Sequence, residues 1–229
     1  MNLNKKGFTL IELIASMVIL AMLMVVTVPN VIGILAQQKK NAYKEDAGKL
    51  ISTAKYKFNQ NRKAMLPAQI PDKSGTQCVI MSLGYLNNSE FENGPNEGKY
   101  DVDNSFVVIV GDAGETVNET VDGKPVSYTP LKFEYYVRLD EELDGNHYGI
   151  KAKGGTGTVL SYENIQKGNF EVVDNMVEFE SGDFSPYGAQ GEFTTEFADA
   201  ALKPNILKKY DIPSSVCSTI VNAYISHVE

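Results

Sequence analysis

Glu12 is the residue whose surroundings most need a chemical explanation. It is the one charged residue in FTLIELIASMVILAMLMVVTV, the 21 residues 8–28. A carboxylate inside such a run costs about 2.5–3.5 kcal/mol on insertion scales and calls for a cation or proton donor as its partner. Lys5 and Lys6 stand just ahead of the run and no basic residue lies within it. Other reactive residue types are scattered. Neither His147 nor His227 has ligand spacing toward acids such as Asp144 or Glu229, so two surface histidines are expected and no metal. Asp101-Val102-Asp103 and Asp140-Glu141-Glu142-Leu143-Asp144 lack the ligand positions and glycine of a Ca²⁺ loop and read as solvated surface charge. The GGTG at 154–157 lacks the following G-K-[ST] of a phosphate loop and reads as a turn. Asn87-Asn88-Ser89 and Asn118-Glu119-Thr120 are glycosylation sequons by pattern only. No serine sits in a nucleophile context and neither histidine has a motif pairing it with Ser or Cys, so neither an enzyme nor a cofactor is expected.

The element that must hold Glu12 is a helix. At about 1.5 Å per residue, 8–28 spans roughly 30 Å, the thickness of a bilayer core. Lysines before the span predict a cytoplasmic N-terminus and an exported remainder. A secretory signal peptide has a shorter apolar region with a small-residue cleavage site after it; here the chain continues as TVPNVIGILAQQ. A plain membrane anchor fits the length but leaves Glu12 unexplained.

Lys5-Lys6-Gly7-Phe8-Thr9-Leu10-Ile11-Glu12-Leu13-Ile14 resembles the prepilin motif of type IV pilins and pseudopilins. That family has a basic leader ending in Gly, a Phe that becomes the new N-terminus, and an acidic residue four places later; Pro29 also falls where such pilins carry proline. The resemblance implies cleavage between Gly7 and Phe8 by a membrane prepilin peptidase and N-methylation of Phe8. It also supplies the partner for Glu12, the new amine of Phe8 on a neighbouring subunit, and makes Glu12 an assembly residue. The implied partners are other pilin subunits, the peptidase, a pilus assembly platform and membrane lipid before assembly. The implied localisation is a single-pass membrane protein with an extracellular head, then a cell-surface pilus. The resemblance covers residues 5 to about 60. Open alternatives are a pseudopilin of a secretion or DNA-uptake system and a membrane-anchored ectodomain, binding domain or enzyme, that never polymerises.

The expected organisation is a leader at 1–7, a long helix at 8–63 (8–28 transmembrane, 34–63 amphipathic) and a globular head at 64–229. Pro29 and Gly33 interrupt the helical pattern and predict a kink, or a segment that melts on assembly. Tyr43, Ala47, Leu50, Ala54 and Phe58, widened by Ile51, form a stripe with lysines mostly off it, the mark of one buried face. Pro67 and Pro71 predict its stop. In the head, 76–86 predicts a short helix, 105–110 a central strand, and 131–139 a half-buried strand with Arg138 on its wet side. A DGN turn would pair that strand with 147–153, and 170–180 adds another strand or hairpin. The stretches 194–202 and 214–228 predict C-terminal helices. The fold class is therefore α+β: a type IV pilin-like long helix packed on an antiparallel sheet with C-terminal helices. A second lobe from about residue 155 is an open alternative that no repeat marks. The head is large and loop-rich for such a subunit, which raises a minor or tip pilin with an adhesive surface whose ligand the sequence does not name.

Cys78 and Cys217, both on expected helices, either form a bridge in an extracellular head or stay as two buried thiols. The Lys- and Asn-rich composition suggests a low-GC Gram-positive source, where such bridges are infrequent, and favours the thiols. The net charge of −8 becomes −10 once both leader lysines are lost. That balance argues against a broad nucleic-acid surface, and no nucleic-acid partner is expected.

Overall fold

The computed structural model describes residues 9–60, 77–86, 91, 93–113, 116–128, 131–176, 212, 216–217 and 219–224. The chain divides into two compact units, Met1–Asn41 and Ala42–Glu229. Helix α1 runs from Leu10 to Gln60 without interruption in its backbone at Pro29 or Gly33. In the first unit its apolar side chains are exposed on all sides: Leu10 is 76 %, Ile19 59 % and Leu35 51 % exposed. A helix apolar all round belongs in an apolar environment rather than in water. Among the described residues no helix is long and apolar enough to cross a membrane; the apolar run of the sequence passes through 26, 27, 29 and 30, whose side chains lie outside that description.

In the second unit the stripe expected from sequence is the buried one. Tyr43, Ala47, Leu50, Ile51, Ala54 and Phe58 are each at most 1 % exposed. Four large side chains among them contribute about 1.5–3 kcal/mol each on burial. Phe58 meets the ring of Phe133 edge-on at 5.2 Å. The lysines off the stripe clamp its flanks: Lys44 Nζ donates to the Gln166 carbonyl at 2.8 Å and Lys57 Nζ to that of Tyr85 at 3.0 Å. Burial lowers the Lys57 pKa from its ordinary value.

The strands are β1 Gln77–Ser82, β2 Lys99–Tyr100, β3 Phe106–Ala113, β4 Val117–Val121, β5 Lys124–Tyr128, β6 Leu131–Arg138, β7 Asp140–Leu143, β8 Asn146–Ala152, β9 Leu160–Ser161, β10 Phe170–Asp174 and β11 Thr219–Tyr224. Two short helices, α2 Leu83–Leu86 and α3 Tyr162–Gln166, complete the elements among the described residues. One sheet has the order β11-β1-β3-β6-β9, a second β10-β8-β7-β2, and β4-β5 stand as a separate pair. All described pairings are antiparallel except β1 with β11. This is an α+β, type IV pilin-like layout of a long helix on antiparallel sheets. Strands β9 and β10, beyond residue 155, pair with β6 and β8 of the two main sheets.

Several sequence expectations are corrected. The stretch 76–86 is mostly strand: Cys78, Val79, Ile80 and Met81 are all buried in β1, between β3 and β11. A short continuous apolar run fits a buried strand as well as a helix, and periodicity does not separate them. The stretch 214–228 contains strand β11, not a helix, among its described residues. The 131–139 segment pairs with β3 and β9, whereas 147–153 pairs with β7 and β10 in the other sheet. The DGN turn is real, with φ +53° at Asp144 and +75° at Gly145, but it joins β7 to β8. The chain passes from one sheet to the other at Leu139. Residues 137–140 are consequently covered on both faces, and Arg138 is 0 % exposed rather than wet. The expected helix at 194–202 and the Pro67–Pro71 stop lie outside the described residues.

Phe58→Ala should lower unfolding free energy by about 3–5 kcal/mol, whereas Tyr56→Ala, at a residue 65 % exposed, should stay within about 0.5 kcal/mol of wild type. Urea titration of the full chain in detergent micelles checks both.

Candidate functional site

Thr9 precedes the first helical residue and Glu12 lies in the first turn of α1. The Thr9 amide and hydroxyl both donate to Glu12 Oε2 at 2.8 Å, and the Glu12 amide donates to Thr9 Oγ1 at 3.4 Å. This is a reciprocal capping box, in which side chains satisfy backbone donors at a helix start. The T-x-x-E signature before an apolar run carries that information in the sequence and was the missed signal. Glu12 therefore has a local structural role as well as its candidate assembly role. Gly7 and Phe8 lie outside the described residues. Pro29 and Gly33 lie within α1, and a Cβ at Gly33 would meet nothing within 4 Å.

In the second unit two of the acids expected to be solvated charge are interior groups, while Glu142 and Asp144 are exposed as expected. Asp140 and Glu141 are both 0 % exposed, and His147 only 7 %. Arg138 Nη2 pairs with Asp140 Oδ2 at 2.9 Å, and the other oxygen, Oδ1, lies 2.7 Å from His147 Nδ1. The remaining guanidinium donors reach the Asn104 carbonyl at 3.1 Å and Thr158 Oγ1. Desolvation raises the Asp140 carboxyl above the usual range, with Arg138 and His147 pulling the other way. The Ser105 hydroxyl is engaged with the Asp140 backbone, donating to its carbonyl at 3.1 Å and accepting from its amide at 3.0 Å. This cluster locks the crossover at Leu139.

Glu141 faces the other way. Its Oε2 accepts from Tyr43 OH at 2.6 Å and Asn96 Nδ2 at 3.0 Å; its Oε1 accepts from the amides of Asn96 at 2.7 Å and Gly98 at 2.9 Å. A Cβ on Gly94 would collide with the Glu141 side chain, and one on Gly98 with the Glu142 carbonyl. The carboxylate is thus wrapped by the loop at 94–98, with glycine at both of its ends. Tyr43 beside it, and Tyr100 beside Asp46, have hydroxyl pKa values pushed up by burial and then by the neighbouring carboxylates. Among the described residues no group of three or more His, Cys, Asp or Glu is placed to hold a metal ion. His227 lies outside them.

Cys78 in β1 and Cys217 just before β11 are bridged, with Cα atoms 5.7 Å apart. The expectation of two free thiols on helices is overturned on both counts. The parallel pairing of β11 with β1 brings the two residues together, and no local sequence signal carries that non-local fact.

With this geometry in view, comparison with known proteins gives one match: residues 2–28 fit the model of the prokaryotic N-terminal methylation motif. The chain carries the signature of type IV prepilins, the precursors of type IV pilins and pseudopilins. No curated protein and no solved structure matches it.

Two outcomes follow from the interior of the head. Arg138→Ala should destabilise it by about 3–5 kcal/mol by taking the guanidinium partner from a buried carboxylate, whereas Lys132→Ala, a residue of an exposed pair, should change it by less than about 1 kcal/mol; thermal melts distinguish the two. Reducing the bridge should lower stability by about 2–5 kcal/mol, seen as an earlier melt together with slower migration on a denaturing gel without reductant.

Proposed function

We propose that this chain is a structural subunit of a type IV pilus, and the size of its head favours a minor or adhesive pilin. It enters the membrane by residues 8–28 with its N-terminus cytoplasmic, is cut between Gly7 and Phe8, is methylated at Phe8 and polymerises. The observation that carries this reading is the N-terminal methylation motif at 2–28 together with a glutamate in the first turn of a helix that carries no other charge up to Val28. Cutting creates a cation at Phe8, the group a carboxylate in an apolar filament core needs. Both Thr9 bonds fall on Glu12 Oε2, which leaves Oε1 for the amine of a neighbouring subunit. Pro29 and Gly33 weaken the helix between the apolar span and the amphipathic part, where it bends or melts as the subunit leaves the lipid. A pseudopilin shares every one of these features and differs in the machine it serves.

Mass spectrometry of the mature N-terminus should find N-methyl-Phe8. An intact Met1 would sink the filament reading in favour of a simple anchor. Glu12→Ala should accumulate in the membrane at wild-type level and be depleted from sheared filaments; normal incorporation would count against the pairing with the Phe8 amine.

A further inference from the structure

The bonds between Thr9 and Glu12 fix where α1 begins. Thr9 has the three marks of an N-cap residue. Its carbonyl accepts the first intrahelical bond, from the Leu13 amide at 3.2 Å. Its hydroxyl oxygen accepts from the Glu12 amide, while its own amide donates to Glu12 Oε2. It stands outside the helix, which starts at Leu10. An N-cap residue is held in a non-helical backbone conformation, so the helix stops there. The Gly7–Phe8 peptide bond joins the two residues immediately upstream of Thr9.

Such a stop matters more here than on a helix in water. The first amides of a helix have no intrahelical acceptor, and lipid supplies no water to replace one. A helix that starts among apolar side chains has two ways to satisfy those amides. It can use a cap, or it can wind further upstream until its first amides reach water. Upstream of Phe8 stand Gly7 and then Lys6 and Lys5, the residues that belong at the polar face of a membrane. Without the cap, winding toward the lysines would draw the Gly7–Phe8 bond into the first turn. A peptide bond inside regular structure is cut only when that structure opens.

We propose that Thr9 is a positioning residue for the cleavage step: its cap holds the start of α1 at Leu10 and so keeps the Gly7–Phe8 bond in a form that a peptidase can bind. The inference rests on the filament reading, with its cut at Gly7–Phe8, and names the residue that prepares the substrate for it. Hydrolysis adds one water across the bond, leaving a carboxylate on Gly7 and an amine on Phe8. Thr9 takes no part in that exchange and acts only through the conformation of the bond. The box also gives Glu12 two separable jobs. Capping needs an acceptor oxygen at position 12, which glutamine supplies as well as glutamate. The contact with a neighbouring amine needs a negative charge, which glutamine lacks.

Cleavage of the full chain in membrane vesicles by added prepilin peptidase, with the products followed by mass spectrometry, tests this. Thr9→Val keeps the branched shape and removes the cap. It should raise the apparent KM about fivefold, the size of effect a lost N-cap gives. It should leave kcat unchanged, because only the share of chains in cleavable form has fallen. Thr9→Ser and Thr9→Asn restore capping side chains of different shape and should restore the wild-type KM. Glu12→Gln should be cut at the wild-type rate yet stay out of sheared filaments. A wild-type KM for Thr9→Val overturns the proposal. So does a KM for Thr9→Ser and Thr9→Asn as high as that of Thr9→Val, or Glu12→Gln cut as slowly as Thr9→Val. In each of those cases wild-type chains that acquire N-methyl-Phe8 leave the filament reading intact. Wild-type chains that stay uncut by active peptidase overturn both.

Discussion

The head turns on a buried carboxylate that must be satisfied from three directions. Glu141 is fully enclosed and accepts from Tyr43 on α1, from the side chain and amide of Asn96, and from the amide of Gly98. Ionised groups are tolerated inside a protein only when hydrogen bonds replace the water they lose. The helix face, the loop at 94–98 and strand β7 therefore have to arrive together. The glycines at 94 and 98 give the loop the room to approach. One residue later in the reverse direction, Asp140 imposes a similar demand through Arg138 and His147. Two adjacent acids thus fix the place where the chain leaves one sheet for the other.

The N-terminal end solves a related problem by a different route. Glu12 sits among exposed apolar side chains, and its first partners are three residues away. A capping box keeps the carboxylate hydrogen-bonded and satisfies amides at the start of the helix before any second subunit is present. The proposed exchange with the Phe8 amine then adds a charge partner to a group already oriented. The head uses its acids to hold distant elements; the N-terminus holds one acid ready beside the proposed cut.

The parts of this architecture legible in sequence are those with local signatures. The stripe from Tyr43 to Phe58 shows helical periodicity and is buried as that periodicity requires. The strand at 105–110 and the Asp144-Gly145 turn also announce themselves. The Asp122-Gly123 hairpin and the T-x-x-E cap had equally local signals that went unused. What sequence did not show was set by partners far along the chain. Cys78 and Val79 read as well for a helix as for a strand until β3 and β11 flank them. Arg138, Asp140 and His147 look like surface residues because their burial depends on a crossover that no local pattern marks. Of the candidate site, the Gly7–Phe8–Glu12 pattern was fully visible as a motif, while its geometry beyond Thr9 was not.

The bridge between Cys78 and Cys217 joins positions 139 residues apart, and that separation has a mechanical meaning. Stretched taut, that much chain would reach on the order of 470 Å. With the bridge intact, a pull entering at β1 and leaving at β11 crosses a single covalent link, and the strands between are shielded from it. The head can bear such tension without paying out its interior as slack.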